Sequence, residues 1–206
     1  MEFRTERLYI RPVRAEDKES MFRYRSDSET NKYLSFTPKS VEEVAEFINS
    51  TSSEFNVPGT WFQLVIIEQA SNLLIGDIGI HFLDTESENM QVEIGYTLAK
   101  EFRGKGYATE TLTTIIDYLI GSLSKLRIIA SIDPTNQDSI RLVERLGFRK
   151  EAHFVESIFF HGKWVDDLVY AILAKEWKLK ATAHTTSVDL ESAVKQNLFA
   201  QKFVEK

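Results

Sequence analysis

Val92-Glu93-Ile94-Gly95-Tyr96-Thr97-Leu98, followed by Arg103-Gly104-Lys105-Gly106-Tyr107-Ala108 and a long amphipathic run, decides how this chain folds. The first stretch reads as a strand. The second is a glycine-rich turn opening a helix. First-turn N–H groups lack intrahelical partners and point outward, so a strand–turn–helix unit of this kind is a ready anion cradle. The spacing Arg-x-x-Gly-x-Ala fits a diphosphate lying across the helix start. From Tyr107 onward the period changes: Ala108, Leu112, Ile115, Ile116, Leu119 and Leu123 share one helical face.

Working outward, residues 61–68 and 73–82 are β-rich runs separated by the turn-like Gln69-Ala70-Ser71-Asn72, and with residues 91–98 they form an antiparallel meander. Residues 127–132 alternate as a further strand. Residues 139–146 read as a short helix that buries Ile140, Val143 and Leu146 and stops at Gly147. Residues 154–160 and 164–173 form a hairpin turning at His161-Gly162-Lys163. Upstream, residues 8–12 are a short strand stopped by proline and residues 15–26 a helix. Ser40-Val41-Glu42-Glu43 is a capping box for a helix using Val41, Val44, Ala45, Phe47 and Ile48. Strands, a crossover helix and a late hairpin in this order define an α/β (α+β mixed) sheet.

A chain of 206 residues that is 43% hydrophobic and 27% charged holds one domain, or one plus an appendage. We expect a domain over residues 1–177, then a polar linker and a possible C-terminal helix over 178–206, where Leu190, Val194 and Leu198 align. A net charge of −6 argues against nucleic acid as the main partner and suits approach of amines or basic peptides. The absence of cysteine removes disulfides, thiolate metal sites and cysteine nucleophiles together. No basic-then-apolar leader stands at residues 1–10 and no apolar run approaches a membrane span, so the expected compartment is the cytoplasm.

Five signatures occur in a fixed order: Thr5-Glu6-Arg7-Leu8, Glu93-Ile94-Gly95-Tyr96, the turn Arg103-Gly104-Lys105-Gly106-Tyr107-Ala108-Thr109-Glu110, Asn136-x-x-Ser139, and Leu146-Gly147-Phe148. This set resembles the GNAT acetyltransferase superfamily, in its ribosomal-protein N-acetyltransferase branch, from about Thr5 to Trp177. The resemblance implies a mostly antiparallel twisted sheet with splayed middle strands, flanked by about four helices. It implies acetyl-CoA as co-substrate, with main-chain N–H groups from Arg103 through Gly104, Lys105, Gly106 and Tyr107 to Ala108, and the neighbouring Thr109, around its pyrophosphate. The thioester would lie in the strand gap at Ile94, Gly95 and Tyr96, with the N–H of Ile94 or Tyr96 on the acetyl oxygen. Gly95 itself marks a bulge or close backbone approach.

By the same resemblance Glu93 is the general base for an ammonium acceptor; the alternative is a solvated or salt-bridged strand residue. Asn136 would contact the pantetheine arm and Ser139 would protonate the departing thiolate. A local alternative is that Asn136 or Asp138 caps the helix while Ser139 bonds backbone. Tyr170 is a reserve acid. Tyr33, Phe36, Phe82 and Trp61 are candidates for the acceptor pocket, and Asp166-Asp167 borders it or forms a charged hairpin face. The histidines His81, His153, His161 and His184 lack metal spacing, and no metal is expected.

The implied activity is transfer of acetyl from acetyl-CoA to a primary amine, by direct attack, with a protein N-terminus ranked first. Small amines (polyamine, aminoglycoside or amino-acid derivative) come second, and a non-catalytic acyl-CoA-binding regulator is the reading from another class. No nucleic-acid or membrane partner is expected, and the chain is a monomer or homodimer, with the tail available for a partner subunit.

Overall fold

The computed structural model describes residues 1–34, 36–84, 90–160 and 162–180. The strands are β1 (Phe3–Arg4), β2 (Leu8–Pro12), β3 (Thr60–Glu68), β4 (Leu73–Phe82), β5 (Gln91–Leu98), β6 (Arg127–Ile132), β7 (Arg149–Phe160) and β8 (Lys163–Leu173). They form one 8-stranded sheet in the order β1-β2-β3-β4-β5-β6-β8-β7. Every neighbouring pair is antiparallel except β5 with β6. Parallel neighbours cannot be joined by a tight turn and need a crossover; α4 (Tyr107–Gly121) provides it.

The side-chain alternation of the strands divides the core between the sheet's two faces. On one face Leu112, Ile115, Ile116 and Leu119 of α4 pack against Ile78, Ile80, Val92 and Ile94. On the other, α1 (Lys18–Arg25) and α3 (Val41–Ser50) lay Met21, Tyr24, Val44 and Ile48 on Val65 and Ile67. The meander, the crossover helix and the late hairpin therefore stand where the sequence patterns place them.

Helix ends follow side-chain chemistry. Ser40 accepts from the Glu43 N–H at 3.3 Å, while the Glu43 carboxylate bonds the Lys39 N–H at 2.7 Å, one residue before the expected box position. The expected helix over 15–26 is a 3-10 turn (Ala15–Asp17) running into α1, and Asp17 is held by Arg11 at 2.7 Å. A short helix, α2 (Ser28–Asn31), starts on Asp27, whose carboxylate accepts from the Thr30 N–H at 2.8 Å. Its four residues carry no periodicity, so no sequence pattern marks it. The helix α5 spans Gln137–Leu146 and ends at Gly147 (φ 95°), as its left-handed geometry requires. Strand β7 begins at Arg149, earlier than expected, because its first residues carry no apolar alternation.

A buried polar cluster joins the two layers. Asp77, 1% exposed on β4, accepts from Arg25 at 2.6 and 2.9 Å, from Gln63 at 2.8 Å, and from the Tyr24 hydroxyl. Burial opposes the Arg25 charge, yet Asp77 outweighs it and the guanidinium pKa is raised. After β8, residues 174–180 are helical, and Trp177 donates its indole N–H to Asp117 at 2.7 Å. The aligned Leu190, Val194 and Leu198 of the possible C-terminal helix, and the histidines His161 and His184, lie outside the described residues.

Candidate active site

The glycine turn ends where α4 begins, and its geometry explains its residues. Gly104 and Gly106 hold φ of 72° and 84°, which glycine adopts without a Cβ penalty. Gly106 is the N-cap of α4 and contributes no side chain; the first intrahelical bond is Glu110 N–H to the Gly106 carbonyl at 3.0 Å. The amides of Tyr107, Ala108 and Thr109 therefore precede that bond and stand as donors at a cavity of about 830 Å³, within the range of ligand sites. Gly104, Gly106, Tyr107, Ala108 and Thr109 all line it, with Arg103 beside them.

A Cβ at Gly104 would meet no protein atom within 4 Å, so within the fold its positive φ is what calls for glycine; one at Gly106 would stand 3.3 Å from the Arg7 guanidinium. Lys105 turns its ammonium over the Phe102 ring, 5.2 Å from the centroid, and is absent from the cavity wall. Its carbonyl accepts from Arg7 at 2.9 Å. Arg7 also pairs with Glu110 at 2.6 Å, and Thr5 bonds the same carboxylate. Burial acts to raise the Glu110 pKa, but the Thr5 and Arg7 bonds prevail and hold it below the usual carboxylate range.

Beside the cavity a gap opens between β5 and β6, although no β6 residue and none of Glu93, Ile94 and Gly95 lines the cavity. Their pairing runs Gln91–Arg127, Val92–Ile128, Glu93–Ile129 and then stops, while β6 continues against β8. The β5 ladder fixes which groups face that gap. Leu83 N–H bonds the Gln91 carbonyl and Ala99 N–H the Ile75 carbonyl, so the odd-numbered residues bond β4. The main-chain groups of Ile94 and Tyr96 therefore face the other way. Ile94 adjoins the last β5–β6 pair; Tyr96 lies beyond it, on the cavity wall.

Gly95 corrects one expectation. The β4–β5 register passes through it unbroken opposite Gly79, and the irregularity lies instead in the β3–β4 pairing, where Ile66 and Ile67 face Gly76 and Leu74 and Ile75 of β4 is skipped. A Cβ at Gly95 would meet nothing within 4 Å, whereas one at Gly79 would press on Trp61 and Gln63 at 3.0 Å. Gly95 is exposed, whereas Gly79 is buried against Trp61 and Gln63, both on the face that also carries Glu93.

On the far wall Asn136 caps α5, accepting from the Ser139 N–H at 3.2 Å, so the local reading of Asn136 holds whatever else it does. Ser139 and Asn136 both line the cavity. The Tyr96 hydroxyl is buried beside Ser139 and has no hydrogen bond of good geometry among the described residues; burial, only partly offset by Ser139, pushes it up to about 12. Tyr33 crosses the cavity edge and donates its hydroxyl to the Thr135 carbonyl at 3.1 Å.

Glu93 is on the opposite face of β5 from Ile94, 29% exposed, with Oε2 3.6 Å from His81 Nδ1. That distance suits an ion pair and is too long for a hydrogen bond. Burial pushes the Glu93 carboxyl above its ordinary range, His81 opposes the shift, and the charge of Asp167 adds to it. Asp167 itself accepts from Ser131 at 2.6 Å, whereas Asp166 is engaged by His153 at 2.7 Å.

Several candidates are not brought to this place. Phe82 is fully buried, edge-on to Phe55, and cannot line an acceptor pocket; its strand position points it into the core. Phe36 stacks on Phe47 at 4.9 Å and Trp61 on His81 at 4.7 Å, and neither lines the cavity. Tyr170 is 4% exposed and bonds Glu144 at 3.0 Å, away from Ser139. Conversely, Arg141 and Arg145 of α5, and Arg7, add cationic groups to the cavity that were not singled out. The α5 arginines follow from its helical period; Arg7 lay inside a quoted signature.

A family model described as "Acetyltransferase (GNAT) domain" matches residues 7–149. The chain is 32% identical over 173 residues to "Uncharacterized N-acetyltransferase p20" of Bacillus licheniformis, covering 84% of this chain and 96% of that protein. It is 33% identical over 84 residues to the "[Ribosomal protein uS5]-alanine N-acetyltransferase" of Escherichia coli, covering 41% and 43%. A crystal structure of an acetyltransferase (GNAT family) from Bacillus anthracis superposes with a TM-score of 0.75 at 30% identity, over 85% of this chain and 100% of that one. The chain belongs to the GNAT acetyltransferase family and is an acetyl-CoA-dependent N-acetyltransferase.

Proposed function

We propose that this enzyme acetylates a protein N-terminal amine, with acetyl-CoA entering along the α4 start and the amine arriving on the Glu93 face of β5. The observation that carries the reading is the uncapped start of α4 opening on a cavity that Arg103, Gly104, Gly106, Tyr96 and Ser139 line, with β5 running from that wall to Glu93. The cavity suits the co-substrate in size, in its uncapped helix start, and in its cationic wall from Arg103, Arg141 and Arg145. When bound, acetyl-CoA supplies an activated acetyl thioester.

The residues then divide the work. Glu93 takes the proton that makes an ammonium non-nucleophilic, and its raised pKa makes it a better base. The β5 amides facing the gap, Ile94 and above all Tyr96, hold the acetyl oxygen as charge develops on it; losing one such donor costs about 3 kcal/mol of transition-state stabilisation. Ser139 faces the departing sulfur and returns a proton to it, with the Tyr96 hydroxyl as a neighbouring donor. Asn136 uses Oδ1 as a cap, which leaves Nδ2 for the pantetheine arm. Tyr33 borders the acceptor entrance.

The N-terminal acceptor is supported by the uS5-alanine acetyltransferase relative and by acidic groups, Glu93 and Asp167, that favour a cationic amine. The test is thiol release from acetyl-CoA across a panel of N-terminal peptides, polyamines and aminoglycosides. Turnover with unblocked peptides, abolished by prior N-terminal blocking, is the expected outcome. Turnover confined to small amines overturns it.

A further inference from the structure

Arg7 reaches across 98 residues of sequence to the glycine turn, and its bonds there are mutually dependent. Its Nη1 donates to the Lys105 carbonyl at 2.9 Å, its Nε donates to Glu110 at 2.7 Å, and its plane lies 4.5 Å over the Tyr107 ring. Glu110 is fixed in turn by the Thr5 hydroxyl and by the Arg7 N–H at 3.2 Å. The β1–β2 turn and the first turn of α4 are thus one clasp.

In a planar trans peptide the C=O and the following N–H point in opposite directions. Holding the Lys105 carbonyl against Arg7 therefore turns the Gly106 N–H away from Arg7. The guanidinium has most of its donors committed to protein, and Glu110 offsets its charge. Its part is to orient the turn more than to supply a bare cation.

We propose that Arg7 is a positioning residue for diphosphate recognition: by gripping the Lys105 carbonyl while anchored on Glu110, it aims the Gly106 amide at the anion. This rests on reading the turn as the diphosphate cradle. A planar fork is needed to bond a carbonyl and a carboxylate at once, so lysine is a poor substitute.

The experiment compares two acetyl donors, acetyl-CoA and S-acetylpantetheine, which ends before the diphosphate. Wild type is expected to favour acetyl-CoA strongly. In Arg7→Ala the KM for acetyl-CoA is expected to rise roughly 10- to 100-fold, the range of lost charge-assisted bonds. The kcat and the KM for S-acetylpantetheine stay within about twofold of wild type, a split that general loosening of the fold would not give. Arg7→Lys recovers little of the loss, and Glu110→Gln reproduces it in smaller measure. If Arg7→Ala fails to fold, these two variants carry the test. Equal losses with both donors, or no loss with acetyl-CoA, overturn the role of Arg7. A wild type that treats both donors alike overturns the cradle reading itself.

Discussion

Glu93 and Tyr96 stand three positions apart on β5, so their side chains leave opposite faces of the strand and meet different partners. Removing the Glu93 carboxylate while keeping its shape isolates the base role. Glu93→Gln is expected to leave acetyl-CoA affinity unchanged and to lower the rate at neutral pH. The sign follows from the raised pKa: wild-type activity falls as pH drops through that value, because the carboxylate protonates. The variant lacks that limb, and its deficit shrinks at high pH, where the amine deprotonates unaided. A rate profile that matches wild type at neutral pH removes Glu93 from the reaction. Tyr96→Phe tests the other face. A phenol pushed up to about 12 stays protonated at working pH and keeps its proton to donate. Its loss beside a developing charge is expected to lower kcat by roughly tenfold or more. Ser139→Ala acts on the same group, so the double variant is expected to lose less than the product of the single losses. Full multiplicativity in kcat argues that the two hydroxyls work on different groups.

At the scale of elements, the unit that matters is strand, turn and helix start. Gly106→Asp places a Cβ 3.3 Å from the Arg7 guanidinium at a φ of 84° and adds a negative charge where an anion is to bind. Acetyl-CoA affinity, read by calorimetry, is expected to fall by about 100-fold or more. Gly104→Ala is the control: its φ of 72° carries a left-handed strain of about 1–2 kcal/mol, but its Cβ meets nothing. Stability falls there while affinity is largely kept. Unchanged affinity in Gly106→Asp removes the turn from the binding site. This unit was legible because each part has its own signal: alternation in β5, two glycines, then a long 3.6-residue period in α4. The α2 helix was not, since four residues make no period and the Asp27 cap is a single cue. Phe82 misled because alternation gives a face but not which face opens to a ligand. The bulge expected at Gly95 confused two uses of glycine: bending a strand, and leaving its surface bare. Arg7 was visible within its signature, but its partner lies far along the chain, and only the folded turn joins them.

For the molecule as a whole, the question is what holds the helical layer over the Glu93 face. The apolar contacts of α1 and α3 are complemented by one ionic cluster, in which Asp77 on β4 gathers Arg25 and Tyr24 from α1 and Gln63 from β3. These groups are buried, so their worth lies less in mutual attraction than in the cost of leaving one unpaired. Asp77→Ala strands the Arg25 guanidinium, only 6% exposed, without its counter-charge. The expected destabilisation is about 3–5 kcal/mol, a large share of the roughly 5–15 kcal/mol that stabilises a typical domain. At about 2–4 °C per kcal/mol for a chain of this size, the melting temperature falls by roughly 6–20 °C. Replacing Asp77 and Arg25 together with apolar residues of similar volume removes the stranded charge, and much of the loss returns. Both variants retain acetyl-CoA binding below their melting temperatures, because the glycine turn and α4 lie against the other face of the sheet. If denaturant titration shows the single variant losing under about 1 kcal/mol, the cluster is not what binds α1 to the sheet. The layer would then rest on its apolar contacts, Met21, Tyr24, Val44 and Ile48 foremost.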